Sequence, residues 1–433
     1  MPWPPLPASP ARLAPKNQEI IQGMQMLYQI HEIQHAAISP LTQWADAVAH
    51  LFSSSVSPLA YTPFSQNVAA GCELIYRLGK DYNKPVFGIA ATRVDGREVA
   101  VEERVVVEKP FCRLLHFRKE GAADAQPAVL LVAPLSGHHA TLLRDTVRTL
   151  LHEHDVYITD WTDARMVPLS AGAFHLHDYV HYVQEFIRLL GPDIHVMAIC
   201  QPTVPVLGAV SLLASAGDVQ PRSMILMGGP IDGRISPTDV NRVATEKSYA
   251  WFENTVIDVV PFNYPGAGRR VYPGFLQHAG FIAMHPEKHM QSYLEFYEDR
   301  AHGHPADAHL KFYDEYNAVL DMAAEFYLET IKTVFQEFAL AQGTWDVAGR
   351  RVRPQDIGEV ALMTVEGGKD DICGIGQTRA AHDLCSSIPQ EKRRHLDAPE
   401  CGHYGIFSGR RWREEICPRV AAFIREQSLG GAS

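Results

Sequence analysis

The feature that most constrains this chain is a rhythm that begins at Ala128, where short apolar runs alternate with segments of helical period. Ala128–Pro134, Asp155–Trp161, His195–Ile199 and Ser223–Gly229 are too short for helices and are apolar enough to be covered on both faces. Thr141–His152, Leu176–Leu190 and Thr203–Ala216 lie between them and read as helices. A helix between successive strands carries the chain back across the sheet, so the strands run parallel with right-handed crossovers. The rhythm stops between 231 and 356, then resumes with Val360–Glu366, Gly376–Ile388, Arg393–Ala398 and Arg411–Gln427. One α/β unit holding an insert is the simplest organisation.

The flanking and inserted segments read differently. Residues 1–23 are rich in Pro and Ala and are expected to form a disordered leader. Residues 24–84 are expected to be helical, with a helix over Gln18–Phe52 interrupted near Pro40. From about Pro85 to Lys119 the pattern turns β-like, with a turn signal at Asp95-Gly96. The core is thus expected to comprise 85–230 and 357–433, and a helical cap 231–356. Within that cap, Trp251, Phe252, Phe262, Tyr264, Tyr272, Phe275 and Phe281 fall among prolines and glycines. Apolar steps of three and four then predict one long helix from His309 to Leu340.

Bulk properties exclude some functions. A formal net charge of −11, without a long Lys/Arg run, argues against a nucleic-acid partner. No apolar run is long enough for a transmembrane helix. The seven cysteines are scattered, without a close pair of the kind that binds zinc, so reduced thiols and a cytoplasmic setting are expected. The prolines of the N-terminus interrupt any apolar signal stretch. Whether the chain forms a homo-oligomer is left open.

The chemistry concentrates where one strand meets one helix. In His195-Val-Met-Ala-Ile-Cys200-Gln-Pro-Thr, Cys200 occupies the place of the nucleophile elbow of α/β-hydrolases, normally G-x-S-x-G. Ala198 is small, and Pro202 suits the first turn of a helix. The competing reading is a buried structural cysteine. A thiolate near a helix N-terminus and a histidine would be a competent nucleophile. Partners are expected in the order acid, then histidine. Asp370 or Asp371 follows the strand ending near Glu366, and His403 lies between the last strand and last helix. Asp370 is preferred because it completes a Gly-x-x-Asp loop from Gly367. An oxyanion hole is expected from the Gln201 N–H and from Leu135 or Ser136 in the loop after Pro134. Trp251, Phe252, Phe262 and Tyr264 are the candidate lid residues. Neither a metal nor an organic cofactor is expected.

With those residues in hand, the chain resembles the intracellular short-chain-length polyhydroxybutyrate depolymerases. The segments that carry the resemblance include Pro58-Leu-Ala-Tyr-Thr-Pro-Phe, Val132-Ala-Pro-Leu-Ser-Gly-His, Tyr157-Ile-Thr-Asp-Trp-Thr-Asp-Ala-Arg and Gly402-His-Tyr-Gly-Ile-Phe. The resemblance implies an α/β-hydrolase fold, with a mostly parallel central sheet, helices on both faces and an inserted helical lid. It also implies a Cys-Asp-His triad, carried over onto Cys200, Asp370 and His403, and hydrolysis of stored polyester to 3-hydroxybutyrate and short oligomers. The partner would be the surface of polyhydroxyalkanoate granules. Two alternatives stand beside it: a polyhydroxyalkanoate synthase-like acyltransferase, and a non-catalytic granule-associated protein.

Overall fold

In a computed structural model the described residues run from 27 to 429, apart from 55, 63, 122–125, 285, 303, 305 and 306. The expected leader at 1–23 lies outside them. A central sheet of nine strands organises the rest. In chain order the strands are β1 (Ala91–Val94), β2 (Arg97–Lys109), β3 (Cys112–Lys119), β4 (Ala128–Val132), β5 (Asp155–Trp161), β6 (Ile194–Ile199), β7 (Ser223–Met227), β8 (Ala361–Gly367) and β9 (Arg393–Ala398). They lie side by side as β1-β2-β3-β5-β4-β6-β7-β8-β9. The first three pair antiparallel, β3 pairs antiparallel with β5, and the remaining strands are parallel.

That order places the site. From β4 the chain moves one way to β5, then crosses back over β4 to β6 on the other side. Right-handed crossovers in opposite directions put their helices on opposite faces. One layer pairs α3 (Arg144–Leu150) with the C-terminal helix Cys417–Leu429, and the other pairs α4 (Leu176–Leu190) with α5 (Thr203–Ser215). The reversal falls between β4 and β6, and ligands of open α/β sheets collect beyond the C-terminal ends of strands at such a point. Every residue of β6, β7 and β8 is buried, as both-face covering requires. The outermost strand β9 is instead charged and half-exposed, with Arg393, Arg394, His395 and Asp397 along it.

Three predicted elements differ. The N-terminal helix α1 (Leu27–Ser53) continues through Pro40. Proline forfeits one backbone bond there, and packing against α2 (Ser65–Gly79) holds the helix together. The long helix expected over His309–Leu340 is two helices, Asp307–Tyr316 and Ala324–Thr330, the latter running on into a π-helical turn over Ile331–Gln336. Between them the chain is extended. There the Leu320 N–H donates to Gly137 O at 2.8 Å, and Met322 and Ala323 pair with Tyr272 and Val271. Apolar spacing fits a helix, but these tertiary bonds win. Finally, only Ala381–Leu384 of the helix expected at Gly376–Ile388 is α-helical. The Glu366 carboxylate takes the N–H groups of Gly376, Thr378 and Arg379 at 2.7–2.9 Å, which fixes that stretch as a loop.

Between β7 and β8 the insert builds a small sheet of its own and several helices, α6 (Asp239–Glu246), α7 (Tyr249–Thr255), α8 (Gly274–Met284), α9 (Pro286–Ala301), α10 (Asp307–Tyr316) and α11 (Ala324–Thr330). Phe252, Ala244, Leu328 and Ile331 form its private core. An ion pair from Arg144 on α3 to Glu315 on α10 ties it to the main body.

Candidate active site

Cys200 ends β6 with a φ of +69°, a left-handed conformation unusual for a residue with a Cβ. Its N–H donates to Met227 O at 2.7 Å, and the Thr203 hydroxyl donates to Cys200 O at 2.9 Å. The sharp turn is thus locked between β7 and the start of α5. Close neighbours make room for it. A Cβ on Gly229 would lie 1.8 Å from Thr203 Oγ1 and 2.5 Å from Cys200 O, so only glycine fits. Thr378 brackets the same residue, accepting from Gly229 N and donating to Gly229 O.

His403 and Asp370 come from the loops after β9 and β8. His403 Nδ1 donates to Asp370 Oδ2 at 2.8 Å, and both side chains are buried. The Asp370 Oδ1 atom accepts from the N–H groups of Ile372 and Cys373 at 2.9 and 2.8 Å. The carboxylate is therefore held through one oxygen by backbone while the other faces the imidazole. Asp371, the sequence alternative, is exposed. On its other side His403 feels the Cys200 sulfur as its strongest electrostatic partner. Burial pushes the imidazolium pKa down, but the negative charge on Cys200 and the Asp370 carboxylate outweigh it and raise it to about 10. Three side chains distant in sequence are thus brought together, in the chain order cysteine, acid, histidine.

The loop expected to supply an oxyanion donor lies against the Gln201 side chain. The loop Ala133–Gly137 is braced by Trp161 Nε1 and Tyr179 Oη, which both donate to Ala133 O. The Leu135 N–H points at Gln201 Oε1 at 3.4 Å, a long contact that an incoming oxygen could displace. Gln201 Nε2 is buried without a partner among the described residues. Ser136 is half-buried on the same loop.

The four lid candidates scatter. Phe252 sits inside the insert's own core, and Tyr264 packs on Tyr28 and hydrogen-bonds Glu32 of α1. Trp251 is half-exposed against Phe252, and Phe262 is 95% exposed. A different set of rings stands beside His403. Tyr404 contacts His403, Phe312 and Tyr316, and Tyr316 in turn contacts His138, which stacks on Phe281 at 5.0 Å. A Cβ on Gly137 would come within 3.3 Å of Phe281, so the roof rests directly on the oxyanion loop. Spacing alone could not pick these rings from the other aromatics. The double glycine at 228–229, directly after a strand, was the available signal for the close approach.

Among the described residues no helix is long and apolar enough to cross a membrane. Residues 228–428 match a family described as PHB de-polymerase C-terminus. Over 340 residues the chain is 23% identical to the poly(3-hydroxyalkanoate) polymerase subunit PhaC of Haloferax mediterranei, covering 76% of this chain and 64% of that protein. Solved structures similar to it include a putative lipase from Acinetobacter baumannii, 13% identical with a TM-score of 0.40, covering 75% of this chain and 93% of that one. Another is the 2-hydroxy-6-oxo-6-phenylhexa-2,4-dienoate hydrolase of Rhodococcus sp. RHA1, 12% identical with a TM-score of 0.40, covering 76% of this chain and 99% of that one. Sheet order and elbow geometry give this chain an α/β-hydrolase fold, and its sequence is similar to a polyhydroxyalkanoate polymerase subunit and, over residues 228–428, to the PHB de-polymerase C-terminus family.

Proposed function

We propose that the protein is a carboxylic ester hydrolase that cleaves poly(3-hydroxybutyrate) through a Cys200 thioester. The observation that carries this reading is the relay Cys200–His403–Asp370 at an elbow of positive φ. The Cys200 thiolate, its proton held on His403, attacks an ester carbonyl. The tetrahedral oxyanion is met by the N–H groups of Gln201 and Leu135, with Gln201 Oε1 giving way. Collapse expels the alkoxide of the shortened chain, protonated by His403. Water, deprotonated by the same imidazole, then hydrolyses the hydroxyacyl thioester and regenerates the thiol. Every group the cycle needs is a side chain or backbone N–H.

The substrate class rests on the depolymerase family matched by residues 228–428. The elbow Ala198-Ile-Cys-Gln-Pro202, lacking both flanking glycines, sides with that choice. A second reading, acyl transfer from a coenzyme A thioester, is favoured by the similarity to a polymerase subunit over 340 residues. Purified protein would be incubated with amorphous poly(3-hydroxybutyrate) granules and, separately, with 3-hydroxybutyryl-coenzyme A. Release of soluble 3-hydroxybutyrate or its oligomers without coenzyme A is expected. Release of coenzyme A with polymer growth and no soluble acid would overturn the hydrolase assignment in favour of transfer. Granule binding without either reaction would make it a granule-associated protein. A location on storage granules within the cytoplasm belongs to the same proposal.

A further inference from the structure

The start of α4 carries an unusual run, His175-Leu-His177-Asp-Tyr-Val-His181, on the side of the core that meets the insert. His175 is the N-cap residue of α4 and lies against Glu329 of α11. Its Nδ1 sits 2.6 Å from Glu329 Oε1, and Glu329 Oε2 accepts the Leu176 N–H at 2.9 Å. The His177 ring stacks on His175 with centroids 4.9 Å apart. One ring nitrogen of each histidine and one Glu329 oxygen all lie within 4.8 Å of one another. One helical turn further, the His181 ring is 5.9 Å from His177. Histidines four apart on a helix point to the same face, as in metal-binding helices. All three central residues are half-exposed, which leaves an entry path for an ion.

The structure assigns to His175, His177 and Glu329 a site for a divalent transition-metal ion of the zinc class, which clips the insert to the hydrolase core. The inference is independent of the reaction proposed above. Two imidazoles and a carboxylate are the donor set of Zn²⁺ and its neighbours, while Mg²⁺ and Ca²⁺ favour oxygen alone. His181 is placed to approach as a fourth ligand, and water can fill any remaining position. On binding, one ring nitrogen of His175 turns its lone pair to the metal, and a proton it carried there passes to the other ring nitrogen or, from an imidazolium, to solvent. Asp178 is already committed, since it accepts the His175 N–H at 2.8 Å, and it also faces His177 Nε2 at 3.5 Å. A second grouping, Glu366 with His395 and Asp397, shows what a cluster without this capacity looks like. There Glu366 is spent on three backbone N–H groups, whereas Glu329 holds one.

The clip would act between two bodies. Glu329 belongs to the insert and follows the extended segment that bonds Gly137 on the oxyanion loop. The histidines belong to the core helix that follows β5.

The test uses the full chain, stripped with chelator and titrated with Co²⁺ while visible absorption is recorded, then with Zn²⁺ during thermal melting. Wild type is compared with His177→Ala, Glu329→Gln and Cys200→Ala. One Co²⁺ per chain is expected, without a thiolate charge-transfer band, unchanged in Cys200→Ala and weakened at least about tenfold in both ligand variants. Zn²⁺ should raise the melting temperature of wild type but not of His177→Ala. Melting in chelator, before metal is added, verifies that both ligand variants are folded. Absence of stoichiometric Co²⁺ uptake, equal uptake by wild type and His177→Ala, or uptake lost only in Cys200→Ala would each overturn the assignment.

Discussion

The floor and the roof of the candidate site are built on opposite plans. The floor, at the C-terminal ends of β6, β8 and β9, is fixed by backbone: Asp370 by two N–H groups, Cys200 by Met227 O, Glu366 by three N–H groups. The roof, from α8 and α10, meets it mainly through rings, with Phe281 and Tyr316 packed around His138 and Tyr404. Directional bonds tolerate little displacement, whereas ring contacts are broad in geometry. The floor therefore tolerates little displacement, and the roof more. Substitutions should respect this division.

The largest effect is expected at the nucleophile. Cys200→Ala should lower ester hydrolysis by about a thousandfold or more while circular dichroism stays that of the wild type. Wild-type turnover in this variant would dissolve the distinction, because the floor would then hold no chemistry. Next comes the acid. Asp370→Asn should cost about a hundredfold or more in kcat, and Asp371→Asn, at an exposed position, should stay near wild type. The reverse ranking would shift the orienting role by one residue.

A pH series sharpens the electrostatic part. The His403 pKa is raised in the folded state to about 10, from an ordinary value of 6.5. Protonated His403 therefore stabilises the fold fully below about pH 6.5, and this contribution is lost as pH rises through 10. Urea unfolding between pH 6 and 10 should show that decline, which Cys200→Ala should flatten most and Asp370→Asn in part. An unchanged slope in Asp370→Asn would mean the carboxylate does not hold the charge on His403.

Smaller effects separate scaffold from roof. Glu366→Gln should lower stability by about 1–3 kcal/mol, since an amide cannot accept from all three N–H groups, and chemical denaturation will measure it. Phe281→Ala or Tyr316→Ala should slow polymer turnover several-fold more than hydrolysis of a dimeric ester. Phe262→Ala, fully in solvent, should leave both near wild type. Equal losses on the two substrates in the ring variants would make the roof a structural support alone.

The same division explains what could be read from the sequence. β5, α4 and β9 fall on their expected residues, because period and β-branching are local properties. That Cys200, Asp370 and His403 each follow a strand was legible from the same rhythm. Extended chain at Asn317–Ala323 was not, since its apolar residues satisfy a helical template and only the bonds to Gly137, Val271 and Tyr272 decide otherwise. Asp370 could be ranked above Asp371 by loop form, but its fixing by Ile372 and Cys373 N–H is a fact of three dimensions. Nor could sequence say which of the insert's aromatics face Tyr404, because rings in a private core and rings in a roof have the same composition.

The left-handed backbone of Cys200 has a consequence for how this protein spends its stability. An L-residue held at φ +69° costs about 1–2 kcal/mol, a penalty glycine escapes. Cys200→Gly is therefore expected to melt higher than Cys200→Ala, though both are equally inert. Selection for a sturdier fold alone would drift toward glycine at the tip of β6. Keeping a side chain there trades durability for reactivity, and the trade is written in one torsion angle.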